Sequence, residues 1–307
     1  MWQELLQNVL AGNFKSLARS ISLVENDAKG YEIFLQSLPV TKVPVIGITG
    51  PPGAGKSTLT DALIESYVLQ HKKVGVVCVD PSSPFNLGAI LGDRIRMSNW
   101  YVHPLVYIRS LASRGAMGGL NTKIFEVTDV MKAAGFDVII VETVGVGQAE
   151  IEIAGLADIT VVVLVPESGD EIQIMKAGLM EIADIFVVNK SDRPGANKLL
   201  KSIELMLHSK AGYEDYSTSV VKTTATSKEG IDELRKAIAE SASGKNKERK
   251  NWMLAERIFR LIQLKRMNDV DRFHLSAKVK EKEEGFNVYG FTREYEDWLM
   301  QKEKEDI

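Results

Sequence analysis

The sequence has little of several features that would indicate particular classes of protein. It contains one cysteine in 307 residues, Cys78, which excludes an intrachain disulfide and a metal site built from several cysteines. Its apolar runs, such as VVVLV at 161–165, are far shorter than the ~20 residues that span a bilayer. The formal net charge of -3 gives no bulk basic character. We therefore expect a cytoplasmic protein whose partners are neither nucleic acid nor a membrane.

Residues 1–39 have the apolar spacing of amphipathic helices. Apolar residues recur every three or four positions in two sets, from Trp2 to Leu10 and from Phe14 to Val24. The polar faces are not enriched in Lys or Arg, so we expect two short helices that pack on the main domain rather than on a membrane surface. The first turn carries Glu4 and no basic cluster, so we expect it to belong to the folded protein rather than to a targeting peptide.

Residues 40–243 alternate short apolar runs with helical stretches. The runs are VIGI, VGVVCV, LVYI, VIIV, TVVVLV, DIFVV and SVVKT. Continuous apolarity indicates strands that are buried on both faces, and such burial requires helices above and below a mostly parallel sheet. We therefore predict an α/β fold with a doubly wound, mostly parallel sheet.

Residues 244–307 form a third region, which a polar stretch at 241–251, SASGKNKERKN, separates from the second. Trp252, Phe259 and Ile262 lie on one stripe of a predicted helix, and Leu254 and Ile258 lie beside it. The stripe is too wide to face water. The region therefore either folds back on its own chain or meets a second copy, and the sequence leaves both open.

A phosphate-binding loop is predicted by GITGPPGAGKST at 47–58, between an apolar run and a helical stretch. Gly50, Gly55, Lys56 and Ser57 follow the order G-x-x-x-x-G-K-S. In that context backbone N–H groups converge on phosphate oxygens, the lysine reaches the outer phosphates and the serine hydroxyl ligates magnesium. The predicted nucleotide contacts are Gly50, Pro51, Pro52, Gly53, Ala54, Gly55, Lys56, Ser57 and Thr58.

The base is predicted to be guanine because NKSD, residues 189–192, follows the run DIFVV. Carboxyl ends of parallel strands share one edge of the sheet, which places this tetrad in the crevice of the phosphate loop. Asp192 can accept hydrogen bonds from the ring N–H and the exocyclic amine of guanine, whereas adenine offers no such pair of donors. Asn189 and Lys190 would brace the base and the loop. A backbone N–H for the guanine oxygen is expected from Ala225, between Thr224 and Thr226.

Three carboxylates are candidate magnesium contacts. Asp80 follows the run VGVVCV, Asp93 lies further along the same segment, and Glu142 ends the run VIIV. Magnesium takes oxygen ligands and keeps several waters, which suits acidic residues at strand ends. Either aspartate alone also fits a helix cap or a solvated loop residue. Glu142 stands where nucleotide-hydrolysing proteins usually have an aspartate, and its longer side chain can reach a magnesium-bound water from further back.

The segment after Glu142, TVGVGQ, predicts slow intrinsic hydrolysis. Gly145 would give its backbone N–H to the γ-phosphate. The next residue is Val146, which cannot orient the attacking water as a glutamine can. Gln148 and Glu142 remain candidates for water contacts. A partner could also order Arg94, Arg96 or Arg114, which would add positive charge to the site. The catalytic candidates are therefore Lys56, Glu142 and Gln148.

These motifs together resemble the MeaB/ArgK-type P-loop GTPases, which are chaperones of adenosylcobalamin-dependent methylmalonyl-CoA mutase. The resemblance covers nearly the whole chain, through GPPGAGKST, VDPSSPFNLGAILGDRIRM, SLASRGAMGGL, ETVGVGQAE and NKSD. It implies Mg²⁺-dependent hydrolysis of GTP, a homodimer formed through the C-terminal arm and binding to a B12-dependent acyl-CoA mutase. The chaperone would gate cofactor loading and protect or reactivate that mutase.

By the same resemblance, Asp80 and Asp93 match the magnesium-associated aspartates. The segment 166–176 matches a third mobile switch, in which Lys176 couples the nucleotide state to the partner. The three regions correspond to an N-terminal helical extension (1–39), a P-loop GTPase domain (40–243) and a C-terminal dimerisation arm (244–307).

Three other functions share parts of this pattern. A metal-delivery GTPase of hydrogenase or urease maturation would have clustered histidines or cysteines, whereas the four histidines are scattered. An ATP-dependent kinase of an arginine/ornithine transport system is disfavoured, because NKSD predicts a guanine nucleotide rather than ATP. A signal-recognition GTPase would have a methionine-rich domain, whereas the ten methionines are dispersed.

Overall fold

The computed structural model of the chain describes residues 1–80, 97–112, 120–143, 149–166, 178–210, 218–243, 247–267, 270–282 and 286–305. The described strands are β1 (Val45–Thr49), β2 (Val74–Asp80), β3 (Val106–Ala112), β4 (Val138–Glu142), β5 (Ile159–Leu164), β6 (Ile185–Val188) and β7 (Ser219–Lys222). The described helices are α1 (Trp2–Leu10), α2 (Phe14–Glu25), α3 (Tyr31–Gln36), α4 (Lys56–Val68), α5 (Ile124–Ala133), α6 (Ala149–Leu156), α7 (Leu179–Ile182), α8 (Ala196–Lys210), α9 (Ile231–Ser243), α10 (Lys247–Arg266), α11 (Arg272–Lys280) and α12 (Val288–Glu305). Contacts divide the chain into two compact units, 1–245 and 246–307.

The seven strands form one sheet in the order β3-β2-β4-β1-β5-β6-β7, and every neighbouring pair is parallel. Each of the seven apolar runs forms one of these strands, so the predicted doubly wound α/β fold is confirmed. β1 lies between β4 and β5 near the middle of the sheet. The carboxyl ends of these parallel strands lie at one edge of the sheet, which is where ligands bind in such folds.

Helices cover both faces of the sheet, because successive side chains of a strand point to opposite faces. On β1, Ile46 and Ile48 belong to a buried cluster that includes residues of α4 and α9. Val45 belongs to a second buried cluster, with residues of α1, α2, α3 and α5. The sheet is therefore the middle layer of three, and this explains why its strands are apolar at consecutive positions.

The N-terminal helices pack on the sheet through the second cluster, where Leu17, Ile21 and Phe34 are almost fully buried. The prediction of two helices was incomplete, since α3 adds a third. It has six residues and follows Gly30, whose φ is 91°. So short a helix makes fewer than two turns, and apolar periodicity cannot reveal it.

The unit of residues 246–307 contains α10, α11 and α12. The ring of His274 on α11 stacks on Trp298 of α12 with 4.4 Å between the centroids, and its Nδ1 lies 3.1 Å from the Tyr295 hydroxyl. The helix α10 begins at Lys247, inside the polar stretch taken from the sequence as a boundary. Its exposed apolar side chains are Leu254, Ile258, Phe259, Leu261 and Ile262. Across the described parts of both units, no helix has the length and apolar character needed to cross a membrane.

Candidate nucleotide-binding site

The phosphate loop, residues 50–55, joins β1 to α4. Gly50 has a φ of 137°, and a Cβ there would lie 2.1 Å from the backbone oxygen of Val163 in β5, so the position requires glycine. Lys56 is 6% exposed, and its Nζ donates to the backbone oxygens of Gly50 at 2.9 Å and Pro51 at 3.1 Å. The ammonium group is thus held against the loop, at the positive end of the α4 dipole.

Two hydroxyl groups of α4 donate to the carboxylate of Glu142, which ends the neighbouring strand β4. Ser57 Oγ donates to Oε1 at 2.6 Å, and Thr60 Oγ1 donates to Oε2 at 3.0 Å. All three side chains are buried, with Thr60 at 0% exposure. Hydrogen bonds to an ionised acceptor are strong, and burial removes the competition from water. We call Ser57, Thr60 and Glu142 the Glu142 cluster.

The amide of Asn189, directly after β6, links three segments. Its Nδ2 donates to the backbone oxygen of Ala54 at 2.8 Å, inside the phosphate loop. Its Oδ1 accepts hydrogen bonds from Thr223 Oγ1 at 3.1 Å and from the backbone N–H of Ala225 at 3.2 Å, both after β7. With 2% of Asn189 exposed, this network fixes the phosphate loop against the ends of β6 and β7. We call Ala54, Asn189, Thr223 and Ala225 the Asn189 cluster.

The rest of the NKSD tetrad lies at the rim of this cluster. Lys190 has a φ of 54°, and its Nζ donates to the backbone oxygen of Gly53 at 2.9 Å. Ser191 Oγ is 3.0 Å from Thr224 Oγ1. Asp192 is exposed, as is Thr226 across the rim. The tetrad therefore contacts the phosphate loop on one side and the loop after β7 on the other.

The backbone N–H of Ala225, which the sequence assigned to a guanine oxygen, donates to Asn189 in this structure. A base would have to share that N–H with Asn189. Residues that the sequence analysis missed are Thr60, Thr223 and Ser191. The spacing of Ser57 and Thr60, three apart on one helix, was the available signal for Thr60, since such positions share a face.

Four predicted site residues, Asp93, Gly145, Gln148 and Lys176, lie outside the described residues. Of Asp80, the structure describes the backbone, which ends β2. Cys78 of β2 is the register partner of Glu142, so Asp80 lies two residues further toward the carboxyl edge of the sheet.

The oxygens of the Glu142 cluster suit a hard cation. A serine hydroxyl and a carboxylate are ligands that magnesium accepts, and magnesium completes its shell with waters and substrate phosphates. Within the described ranges, no three or more His, Cys, Asp or Glu side chains converge as a metal site would require. Ser57 and Glu142 therefore fit the oxygen chemistry of a magnesium site.

Known proteins resemble this chain in sequence and in fold. The family model described as methylmalonyl Co-A mutase-associated GTPase MeaB matches residues 17–275. A candidate GTPase of Pyrococcus abyssi is 46% identical over 268 residues, which cover 84% of this chain and 83% of that protein. The crystal structure of a LAO/AO transport system kinase superposes with a TM-score of 0.67 and 26% identity, covering 97% of both chains. A fused isobutyryl-CoA mutase of Geobacillus kaustophilus is 36% identical over 211 residues, which cover 65% of this chain and 19% of that protein.

The family match includes the phosphate loop and both clusters, because all of their residues lie between positions 17 and 275. It also spans most of the chain, including the first helix of the C-terminal unit. This chain therefore belongs to the MeaB family of methylmalonyl-CoA mutase-associated GTPases and is a GTP hydrolase.

Proposed function

We propose that this GTPase is a chaperone of a B12-dependent acyl-CoA mutase, of the methylmalonyl-CoA or the isobutyryl-CoA type. It gates the loading of the cofactor into the mutase and protects or reactivates the mutase during turnover. The observation that carries the proposal is the Geobacillus protein, in which a segment related to this chain is part of a fused mutase. Fusion raises the effective concentration of two modules, which supports a direct partnership between them.

We assign the choice of guanine to Asp192, whose exposed carboxylate is available to the two N–H donors of that base. Asn189 and Lys190 hold the phosphate loop beside the base, which their hydrogen bonds to Ala54 and Gly53 support. The base would be bordered on its other side by the loop of Thr224, Ala225 and Thr226. This arrangement favours GTP and GDP over adenine nucleotides.

We assign the outer phosphates to Lys56 and the backbone of the phosphate loop. Magnesium would be held by Ser57, with Glu142 bound to it directly or through water, and with Asp80 and Asp93 as further acidic contacts. The ion supplies neutralisation of the charge that develops during phosphoryl transfer. The Ser57 to Glu142 hydrogen bond is compatible with this role, since a hydroxyl that donates its proton keeps lone pairs for a cation.

Gly145 would donate a hydrogen bond from its backbone N–H to the γ-phosphate and so distinguish GTP from GDP. Gln148 would contact the attacking water. Lys176 would couple the nucleotide state to the partner. Val146 stands where a water-orienting glutamine would follow the glycine. The isolated protein should therefore hydrolyse GTP slowly, and the mutase should supply or order the missing groups.

We also propose a homodimer formed through the C-terminal unit. The exposed apolar side chains of α10, including Ile258 and Phe259, support contact with a second copy. Contiguous apolar surface of this kind is typical of interaction sites. Sedimentation or light scattering should give twice the mass of the chain, and Ile258→Asp with Phe259→Asp should give the monomer.

The partnership is tested by adding purified methylmalonyl-CoA and isobutyryl-CoA mutases to the full chain. One mutase should form a complex whose affinity differs between GTP and GDP and should raise the hydrolysis rate by at least about tenfold, because a partner can complete a catalytic site. Delivery of adenosylcobalamin to that mutase should require GTP. Lys56→Ala should lose these effects, and Lys201→Ala, on the exposed face of α8, should retain them.

Hydrolysis at the same rate with and without both mutases would contradict the chaperone role. Tight, stoichiometric binding of nickel or zinc would favour metal delivery instead. Transfer of the γ-phosphate from ATP to a transport protein, with no preference for GTP, would favour a kinase.

A further inference from the structure

Thr60 is a buried residue that nucleotide-binding motifs do not explain. It lies on α4, three residues after Ser57, and is 0% exposed. A β-branched residue is a moderate helix former, and a buried hydroxyl group is costly unless it is hydrogen-bonded. Valine would fill the same volume without that cost, so the hydroxyl itself needs a reason.

The direction of the Thr60 hydroxyl supplies the reason. In helices, a threonine commonly donates back to its own backbone, as Thr128 Oγ1 does to Ile124 O at 2.7 Å. Thr60 Oγ1 donates instead to Glu142 Oε2 at 3.0 Å, across 82 positions of the chain. The hydroxyl thus connects the helix after the phosphate loop with the end of the neighbouring strand.

The two oxygens of Glu142 are held from the same helix, Oε1 by Ser57 and Oε2 by Thr60. A glutamate carboxylate turns easily about its last torsion, because the wells of that torsion are broad. With donors on both oxygens the plane of the carboxylate is fixed. A fixed plane also fixes the hydroxyl of Ser57, whose proton lies toward Oε1, and so aims the lone pairs of Ser57.

We propose that Thr60 is a positioning residue that orients Glu142, and through it Ser57, for magnesium. The inference rests on the proposed role of Glu142 at the metal. Thr60 does not touch the ion or the nucleotide. Its contribution is to the Mg²⁺-dependent part of nucleotide binding and hydrolysis, since partners behind metal ligands typically change metal affinity by about 10–100-fold.

The test is a magnesium titration of GDP and GTP affinity, read with a fluorescent guanine nucleotide on the full chain. Thr60→Val should raise, by about tenfold, the Mg²⁺ concentration at which the increase in nucleotide affinity is half-maximal. Its GDP affinity in EDTA should stay within about twofold of the wild type, because the phosphate loop and the Asn189 cluster are unchanged. Thr60→Ser keeps the hydroxyl and should restore most of the magnesium response.

The matched control is Thr128→Val on α5, which removes another hydroxyl that is 0% exposed and hydrogen-bonded within a helix. It should leave the magnesium titration unchanged, because this hydroxyl donates within its own helix. If Thr60→Val is poorly folded, Thr60→Ala in the same titration carries the test.

The outcomes separate this inference from the proposed site. A magnesium shift in Glu142→Gln with none in Thr60→Val would overturn the role of Thr60 and leave that of Glu142. No shift in either variant would overturn the assignment of Glu142 itself. Equal loss of GDP affinity with and without magnesium in Thr60→Val would show a packing effect and would also overturn the inference.

Discussion

The Asn189 cluster and the Glu142 cluster lie on opposite sides of β1 and are built from different chemistry. At Asn189 a neutral amide bonds to backbone groups and one hydroxyl, so the acceptors and donors are matched within the protein. At Glu142 two hydroxyls donate to a carboxylate, a charged group that remains a potential cation ligand.

This difference separates two tasks within one site. A neutral, satisfied network gives a fixed shape, because breaking any of its hydrogen bonds leaves a buried polar group unpaired. Under the proposed role, a buried carboxylate beside hydroxyls would respond to an ion, because its negative charge would attract magnesium. We therefore expect changes near Asn189 to alter nucleotide choice and loop stability, and changes near Glu142 to alter the response to magnesium.

Asp192→Ala should have the largest effect on nucleotide affinity, and this effect should come only from lost contacts to the base. The carboxylate would make two charge-assisted hydrogen bonds to guanine, each worth about 1.5–3 kcal/mol, so GTP and GDP affinity should fall by roughly 10³-fold. The magnesium dependence of the remaining binding should not change. Nucleotide titration with and without Mg²⁺ measures both quantities.

Glu204→Ala is the control, since it removes another exposed carboxylate, on α8. It should bind guanine nucleotides like the wild type. Unchanged GTP preference over ATP in Asp192→Ala would refute the assignment of the base to this end of the site.

Gly55→Ala should have a smaller effect and should break the link between the phosphate loop and Asn189. Gly55 has a φ of 87°, and a Cβ there would lie 2.5 Å from Asn189 Nδ2. The clash should displace the amide and weaken its bond to Ala54, lowering the free energy of unfolding of the nucleotide-free protein by about 1–3 kcal/mol beyond the strain at a positive φ.

Gly53→Ala isolates the clash. Gly53 has a similar φ of 79°, but a Cβ there meets nothing within 4 Å. Urea unfolding should therefore show Gly55→Ala to be the less stable of the two variants. Equal stabilities would mean that Asn189 moves aside freely and that its cluster is not rigid.

Tyr67→Phe should have the smallest effect, at the other end of α4 from Ser57 and Thr60. Burial raises the pKa of Tyr67 from 10.0 to about 12, despite the opposing charge of Arg235. The pKa of Tyr67 is higher in the folded than in the unfolded state. The contribution of the neutral Tyr67 side chain to stability is therefore present below pH 10 and is lost as the pH rises toward 12.

The variant lacks this titration, so the unfolding free energy of the wild type should fall relative to that of the variant as the pH rises from 10 toward about 12. Nucleotide affinity at neutral pH should stay the same. A constant difference across that range would contradict the raised pKa.

Much of the architecture could be predicted from the sequence, because strands buried on both faces of a three-layer fold appear as continuous apolar runs. Runs such as VIIV and IFVV are apolar at every position, and they form most of β4 and the whole of β6. The phosphate loop was readable for a similar reason, since its backbone geometry requires glycine at fixed spacing. The sequence could not show α3, which is too short for a period, or the start of α10 among polar residues.

Local motifs by themselves determined that the chain has a phosphate loop, an NKSD tetrad after a strand and a glutamate at a strand end. Only the tertiary structure decided how these motifs meet. The bonds of Glu142 to Ser57 and of Asn189 to Ala54 join residues 85 and 135 positions apart. Such contacts depend on strand order and register, which bring separate segments to one edge of the sheet, and no local pattern encodes them. That is why Thr60, an ordinary helix residue in the sequence, is a partner of Glu142 in the fold.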